Sequence, residues 1–562
     1  MADGREIIRR YNGLRGAAAA HFSRCEQMAP FIAPSRAGIT AARAPGADQM
    51  QDVYDSTAMF AADLLAKYIA GEVINPAQRW HRWKLRKPKH APERSEADEW
   101  IEECTDRALK ERSNSNFYAE APEMLVDYGG FGTGCLMGDE RKRYRDDDEG
   151  ERRGFRGLRF QASKTGRFVI SEDEEGVVDG VWREYTVSVQ AAAERWGRER
   201  LPDNMRQILL SERPDYDRPF TIVHCVYPRP RSERGYGAKG FPFASCWVEK
   251  ESEEIISESG YKRFPFMVAR WEKTPGEIFG RGPGDRAFPD TRTLNKAKQM
   301  GLEDWALKIR PPIIVAHDSV IGNIRIRPAA PTTLRSSGRA VSDLMQPFET
   351  GSHPEISQIK EEELRKSIRQ LFFVDQILQM LQVEKAEMTA YEFAKKMELL
   401  FKILGPIYGR MQSEFLIPET ELTFGLMYDA GAFSPPPPEL AGDGTTIEVE
   451  FTSPLALAQR AGDIDAIRMT FGDIGTIALG DPQRAEAMLE NYDVDEAARI
   501  IGEVRGIPAR ILRSEKDRDQ IRQARVQKMQ QMEMVQGLLA ASQAGRNVAP
   551  LVKNGAAEAA QR

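Results

Sequence analysis

Along residues 1–135, apolar side chains return at steps of three and four, the spacing of helices that bury one face. Ile7, Ile8, Tyr11 and Leu14 form one stripe, and Met59, Phe60, Leu64, Leu65 and Tyr68 a second. Trp100, Ile101, Cys104 and Leu109 make a third, and Phe117, Ala121, Met124, Leu125 and Tyr128 a fourth. Over residues 154–187 the period shortens to two. Runs such as Leu158-Arg159-Phe160 and Arg167-Phe168-Val169-Ile170, split by glycine and acidic turns, predict strands and hairpins. Strand-like runs continue at 220–227, 243–248 and 266–271, while the mixed-charge stretch 141–153 is expected to be a solvated loop.

The region 280–417 is the most informative. Gly280-Arg281-Gly282-Pro283-Gly284 opens a helix expected over 285–309, stopped by Pro311-Pro312, with Leu294, Ala297, Gly301, Trp305 and Ile309 along one face. A small strand-rich insert follows, carrying Ile313-Ile314-Val315 and Ile324-Arg325-Ile326-Arg327. A second helix starts at Pro354, a residue suited to a first turn, and is expected to reach Gln379. Ile356, Ile359, Leu364, Ile368, Leu371 and Phe372 are read as its buried face. At 1.5 Å per residue each helix would measure roughly 35–40 Å. Two matched antiparallel rods bracketing a β-rich tip are too thin to hold a core alone, so they should associate side by side.

Residues 376–388 are polar, methionine-bearing and free of glycine and proline, and read as a loop or a frayed helical extension. A third helix begins with a capping box, Thr389 to Glu392, and carries Phe393, Met397, Leu400, Phe401, Leu404, Tyr408 and Met411 on one stripe. Ser434-Pro435-Pro436-Pro437-Pro438 is a stiff spacer, and 447–451 is one alternating strand. Helical patterns continue to Ala544. The last, 515–543, has only a thin apolar seam (Ile521, Val526, Met529, Met532, Val535) and wants identical neighbours.

A chain of 562 residues should split into several domains. Its 41% apolar and 29% charged content is that of a folded protein, and no run of ~18 apolar residues suggests a membrane span. Residues 1–10 lack the apolar core of a signal peptide, so synthesis in the cytoplasm is expected. With 79 basic against 85 acidic residues there is no global basic footprint, so DNA, if a partner, is handled loosely. The five cysteines are scattered and never form C-x-x-C, and His224 and Cys225 would point to opposite faces of a strand. Neither metal nor cofactor is expected.

Catalytic constellations fail on spacing. Gly235-Tyr236-Gly237-Ala238-Lys239-Gly240 is no phosphate loop, and Gly129-Gly130-Phe131-Gly132-Thr133-Gly134 follows a helix pattern where a dinucleotide fingerprint needs a strand. The chain is therefore read as non-enzymatic.

The order helix, β insert, helix, loop, helix, together with particular residues, resembles the portal (head-to-tail connector) family of short-tailed bacteriophages. Tyr54-Asp55-Ser56-Thr57-Ala58, Asn75-Pro76 and Trp80 are similar to the family's amino-terminal wing. So are Asn116-Phe117 and Gly132-Thr133-Gly134-Cys135-Leu136. Phe264-Pro265-Phe266, the 280–285 motif and Thr293-Leu294-Asn295 form the most specific stretch. Met388-Thr389-Ala390-Tyr391-Glu392 and Thr452-Ser453-Pro454-Leu455-Ala456 with Gln459-Arg460 complete the resemblance.

The resemblance implies a mainly helical α+β portal-type fold with wing, stem, clip, crown and helical barrel, assembling as a twelve-fold ring. Carried over, 1–284 is wing, 285–309 and 354–379 the stem helices, 310–353 the clip and 380–388 the tunnel loop. Residues 389–460 would be the wing helix and later wing strand, 461–514 the crown, 515–544 the barrel helix and 545–562 a flexible tail. Implied partners are further copies of the chain, the terminase large subunit, a tail adaptor, capsid and scaffold proteins, and double-stranded DNA passing without sequence specificity. The implied location is the capsid portal vertex of the virion; the alternatives are another virion structural protein, such as a tail adaptor, or a packaging nuclease. Lys296, Lys298, Lys308, Arg365, Lys366 and Arg369 are candidate channel cations, with ion pairs to Glu303, Glu361, Glu362 and Glu363 as the plainer reading. Gln379, Gln382, Glu384, Lys385 and Glu387 are candidate tunnel-loop residues. Trp305 either packs on its own domain or anchors a neighbouring subunit.

Overall fold

A computed structural model of the chain describes residues 3–41, 44, 46–86, 96–141, 155–309, 313–315, 345–347, 354–381, 405–441, 447–452, 466–476, 488–504, 518, 520–532 and 534–535. The chain divides into two compact units. One comprises Met1–Arg82, Cys104–Ser434 and Ser453–Gln459, and the other Trp83–Glu103, Pro435–Thr452 and Arg460–Arg562.

The first unit opens with α1 (Gly4–Ala17), α2 (Ala19–Ile32) and α3 (Thr57–Val73). Asp3, in extended backbone, starts α1 by accepting a hydrogen bond from Arg5 N at 3.1 Å. The buried face of α3 is Ala58, Ala61, Ala62, Leu65, Ala66, Ile69 and Val73, while Phe60 points outward. Small residues win that face because they let helices approach closely. Strand β1 (His81–Leu85) and helices α4 (Glu96–Asn114) and α5 (Phe117–Phe131) follow. The α5 stripe is buried as its spacing predicts: Phe117, Ala121, Met124, Leu125 and Tyr128.

Next come β2 (Thr133–Glu140), β3 (Leu158–Ser163), β4 (Phe168–Glu172) and β5 (Val178–Ser188). After these run α6 (Val189–Trp196), α7 (Asp203–Leu210), β6 (Pro219–Pro228), β7 (Phe243–Glu249), β8 (Ile255–Tyr261) and β9 (Phe266–Arg270). They build two antiparallel sheets, one ordered β3-β2-β9 and the other β4-β5-β6-β7-β8. An apolar core of Val189, Ala192, Leu201, Met205, Phe220, Ile222 and Ile256 binds α6 and α7 to the larger sheet. A second core centres on Phe117, whose ring lies 4.9 Å from Phe160, 6.3 Å from Trp80 and 6.5 Å from Phe415.

Helix α8 (Pro283–Ile309) begins two residues before the expected start and ends where expected. Short strands β10 (Ile313–Val315) and β11 (Met345–Pro347) pair antiparallel, in keeping with a β-bearing insert; Ile324 to Arg327 lie outside the described residues. The second rod differs from expectation. It is two helices, α9 (Pro354–Leu371) and α10 (Val374–Leu381), parted at Phe373, whose φ is +61°. The break lets Phe372, Val374 and Ile377 all be buried, which one straight helix would not do. The rods are therefore unequal: about 40 Å for α8 and about 27 Å for α9 at 1.5 Å per residue. Gln376–Leu381, expected as loop or frayed helix, is helical. The capping box at Thr389 and the stripe from Phe393 to Leu404 lie outside the described residues. Residues 405–411 are helical and continue through a π-helical turn, Gln412–Leu416, into α11 (Ile417–Asp429).

In the second unit β12 (Ile447–Phe451) falls where the alternation predicts it. It pairs with β1, whose last residues belong to this unit, and Lys84 meets Glu450 at 3.0 Å. Helix α12 (Val494–Val504) follows, and Asp495 binds Arg518 (3.2 Å) and Arg522 (2.8 Å). Residues 520–532 are helical, with Val526, Met529 and Met532 exposed.

Candidate self-association and channel surface

Helix α8 is rooted by backbone packed on backbone. Gly132 ends α5 in the left-handed region (φ +82°), and a Cβ there would stand 2.5 Å from Gly280 O. A Cβ on Gly284 would land on the carbonyl of Gly130. Trp271 N donates to Gly132 O at 2.9 Å and Gly280 N to Thr133 Oγ1 at 2.8 Å. The two glycine-rich motifs of the sequence thus interlock, fixing where α8 leaves the end of α5 and the start of β2.

Further along, α8 and α9 run antiparallel, since Ser367 Oγ donates to Asp290 Oδ2 (2.6 Å) while Lys298 Nζ meets Glu361 (3.0 Å). A strap at 52–55 clasps both helices. Asn295 Oδ1 accepts from Tyr54 N at 2.6 Å, Asn295 Nδ2 donates to Asp52 O at 2.8 Å, and Arg365 pairs with Asp55 at 3.0 Å. Burial opposes the charge on Asp55, yet hydrogen bonds from Thr57 and Arg365 hold its carboxyl below the usual range.

The candidate cations of α8 and α9 are mostly engaged within the chain. Besides Asp55, Arg365 meets Glu361 and Glu362, both at 3.4 Å. Arg369 meets Glu362 at 3.0 Å and Asp375 across the helix break at 3.3 Å, and Lys308 meets Asp304 at 3.0 Å. Lys296 donates to Gln299 at 3.0 Å. Lys366 is exposed and forms no ion pair among the described residues. Gln379 is exposed on α10, while Gln382, Glu384, Lys385 and Glu387 lie outside the described residues.

The last third of α8 carries large apolar side chains that the chain leaves in solvent. At about 100° per residue, Leu302, Trp305 and Ile309 fall on one side of the helix, and Met300 and Leu307 on the opposite side. All five are exposed, Trp305 by 63%. Ile359, expected in the buried face of the second rod, is also 63% exposed. Glu361 takes the buried place, because the seam between the helices is charged at that level. Apolar side chains clustered at the end of a thin hairpin mark a contact surface. Burying each would contribute about 1.5–3 kcal/mol.

Two ionic clusters lie in the same unit as this hairpin, one of them fully buried. Arg112 and Glu419 form a bidentate pair at 2.7 and 2.9 Å, joined by Thr423 Oγ1 (2.9 Å to Glu419) and the indole of Trp80, 5.2 Å from the guanidinium carbon. His81 Nε2 lies 3.3 Å from Arg112 Nη1. Burial, with Arg112 beside it, holds the His81 imidazole well below its ordinary value. Burial and Arg24 push His21, stacked on Phe279, down to about 3. The π-helical turn aims Glu414 at Arg270, whose backbone N and Nη2 donate to it at 2.8 and 2.6 Å.

Sequence patterning did not single out Asp52, Asp55 and Asn295 as a clasp, although two of its motif segments contain Asp55 and Asn295. Nor did it weigh Met300, Leu302 and Leu307. Apolar residues on both sides of one helix were the available signal. Among the described residues no group of three or more His, Cys, Asp or Glu could hold a metal ion, and no helix is long and apolar enough to cross a membrane.

A family model described as bacteriophage head to tail connecting protein matches residues 4–512. A probable portal protein of Bordetella phage BPP-1 is 25% identical over 516 residues, covering 90% of this chain and 88% of that protein. A portal protein of Salmonella phage epsilon15 is 22% identical over 489 residues, covering 85% and 83%.

Proposed function

The chain belongs to the bacteriophage head to tail connecting protein family and serves as a head-to-tail connector of the portal type; on that premise we propose that its copies close into a ring around a DNA channel. One observation carries the ring: α8 has two distinct exposed apolar faces, Leu302-Trp305-Ile309 and Met300-Leu307. A subunit with a different neighbour surface on each side makes head-to-tail contacts, and those generate rings when the rotation closes. Trp305 is the anchor in this scheme, since aromatic side chains dominate interface energetics. The expected ring is twelve-fold, as in the family the sequence resembles.

The described stem suits a sliding contact with DNA. Five of its six candidate cations are held by carboxylates or a glutamine of the same chain, so phosphates meet weak, already-partnered charge. A channel that gripped each phosphate would have to break every contact at the next step. In this scheme 310–353 is the clip on which the terminase large subunit docks during packaging and a tail adaptor afterwards, and the wing meets capsid and scaffold proteins. The chain acts as structure at the portal vertex of the virion, made in the host cytoplasm, without catalysis or cofactor.

Assembling phage heads with a Trp305→Ser chain in place of the native one tests the proposal. Heads should form without packaged DNA. DNA-filled heads at native yield, with the variant chain present in them, would refute it.

A further inference from the structure

The loop between β6 and β7 is built to present one side chain. Tyr236 is fully exposed at its tip, between Gly235 and Gly237. Beneath it Arg229, only 5% exposed, donates to Lys239 O, to Glu258 Oε1 (3.0 Å) and to Ser259 O (3.0 Å). Gly260 has no room for a Cβ beside Ala238 O. A loop held this firmly loses little freedom on binding, and a rigid tyrosine suits an interface anchor. Arg231 and Arg234 flank the tip, exposed, with no side-chain partner among the described residues.

The turn between β4 and β5 has the opposite charge. Asp173 Oδ1 accepts from Glu175 N (3.0 Å) and Val177 N (2.8 Å), and buried Arg270 donates to Gly176 O at 3.0 Å. Glu174 and Glu175 project with no side-chain partner among the described residues, beside an exposed Val177. Both features leave the same end of the sheet, because β5 begins where β6 ends (Val181 pairs with Val226). In the order β4-β5-β6-β7-β8 the turn joins the first and second strands and the loop the third and fourth, so they are separate surfaces two strands apart.

We propose that the Tyr236 loop of one copy docks on the 173–177 turn of the next, Arg231 and Arg234 meeting Glu174 and Glu175 while Tyr236 covers Val177. This rests on the ring proposed above. Two different surfaces of complementary charge are what a head-to-tail contact requires, whereas a two-fold contact would need one self-complementary patch. A nucleic-acid partner fits less well, since Glu233 stands between the two arginines and would oppose a polyanion.

Cross-linking of the full-length chain tests it, because all five native cysteines are buried. Val177→Cys combined with Tyr236→Cys, treated with a short bis-maleimide, should give a covalent ladder ending at the whole ring, and either single variant no dimer. A ring of full size that does not ladder, or dimers from Tyr236→Cys alone, overturns the contact. A chain that stays monomeric overturns the ring itself and the contact with it. Reversing Arg231 and Arg234 to Glu should lower ring yield several-fold, and reversing Glu174 and Glu175 to Lys in the same chain should restore it. Unchanged yield in the first variant, or no recovery in the second, rejects the charge pairing.

Discussion

Arg112 and Glu419 lie 307 residues apart in the chain, yet their side chains meet as a bidentate pair with no exposed surface on either. This ties α4 to α11. Removing one partner strands the other's charge, so Arg112→Met or Glu419→Leu alone should cost about 3–5 kcal/mol. The double change to apolar residues of similar volume should recover most of that loss. Chemical denaturation of the four chains gives the coupling energy, and additive losses would show that the pair does not act as a unit.

Two glycines of the same helix should respond in opposite ways. Gly284→Ala drives a methyl into the Gly130 carbonyl and should prevent α8 from seating, leaving little soluble folded protein. Gly301→Ala has 3.8 Å to its nearest neighbour, the Glu361 carboxylate, and should stabilise α8 by about 0.5–1 kcal/mol through helix propensity. Soluble yield and melting temperature separate the two.

Stability should fall as pH drops from 7 to 5.5. His21 and His81 are held neutral in the folded chain, below their unfolded value, so the unfolded state binds the proton first. Their contribution is complete above about pH 6.5 and is lost below it at up to about 1.4 kcal/mol per pH unit for each histidine. His81→Gln should roughly halve that slope. Denaturation at several pH values within this window, above the carboxylate range, measures it.

Much of this architecture is legible in the sequence, for identifiable reasons. The α5 stripe, β12 and the far end of α8 follow from periodicity and from Pro311-Pro312. The Phe373 break does not, because no proline or glycine marks it. Only burial of Phe372 and Val374 on either side makes a left-handed phenylalanine worthwhile, and that is tertiary information. Ile359 was misplaced for the same reason: a helical pattern says which residues share a face, not whether the facing seam is apolar or charged. The glycine interlock was visible as two motifs, but their contact, Gly280 N to Thr133 Oγ1, spans 147 residues of chain.

Arg365 and Lys366 separate a structural role from a role in the proposed channel. Arg365→Ala leaves Asp55 largely buried without its guanidinium and should cost about 1.5–3 kcal/mol in stability. Lys366→Ala should leave the melting temperature unchanged, since that side chain is exposed and forms no ion pair among the described residues. On the proposed ring its replacement should shift the salt dependence of packaging while the fold is untouched. Thermal melts paired with packaging assays at two salt concentrations distinguish these outcomes.

Native mass spectrometry of the purified full-length chain, beside its Trp305→Ser variant, is the most direct test of the ring. The unmodified chain should appear as one closed species whose mass is a whole multiple, near twelve, of the subunit, and the variant should fall to monomers with unchanged circular dichroism. A native chain that remains monomeric at every concentration, or a variant that closes the same ring equally well, would contradict the account.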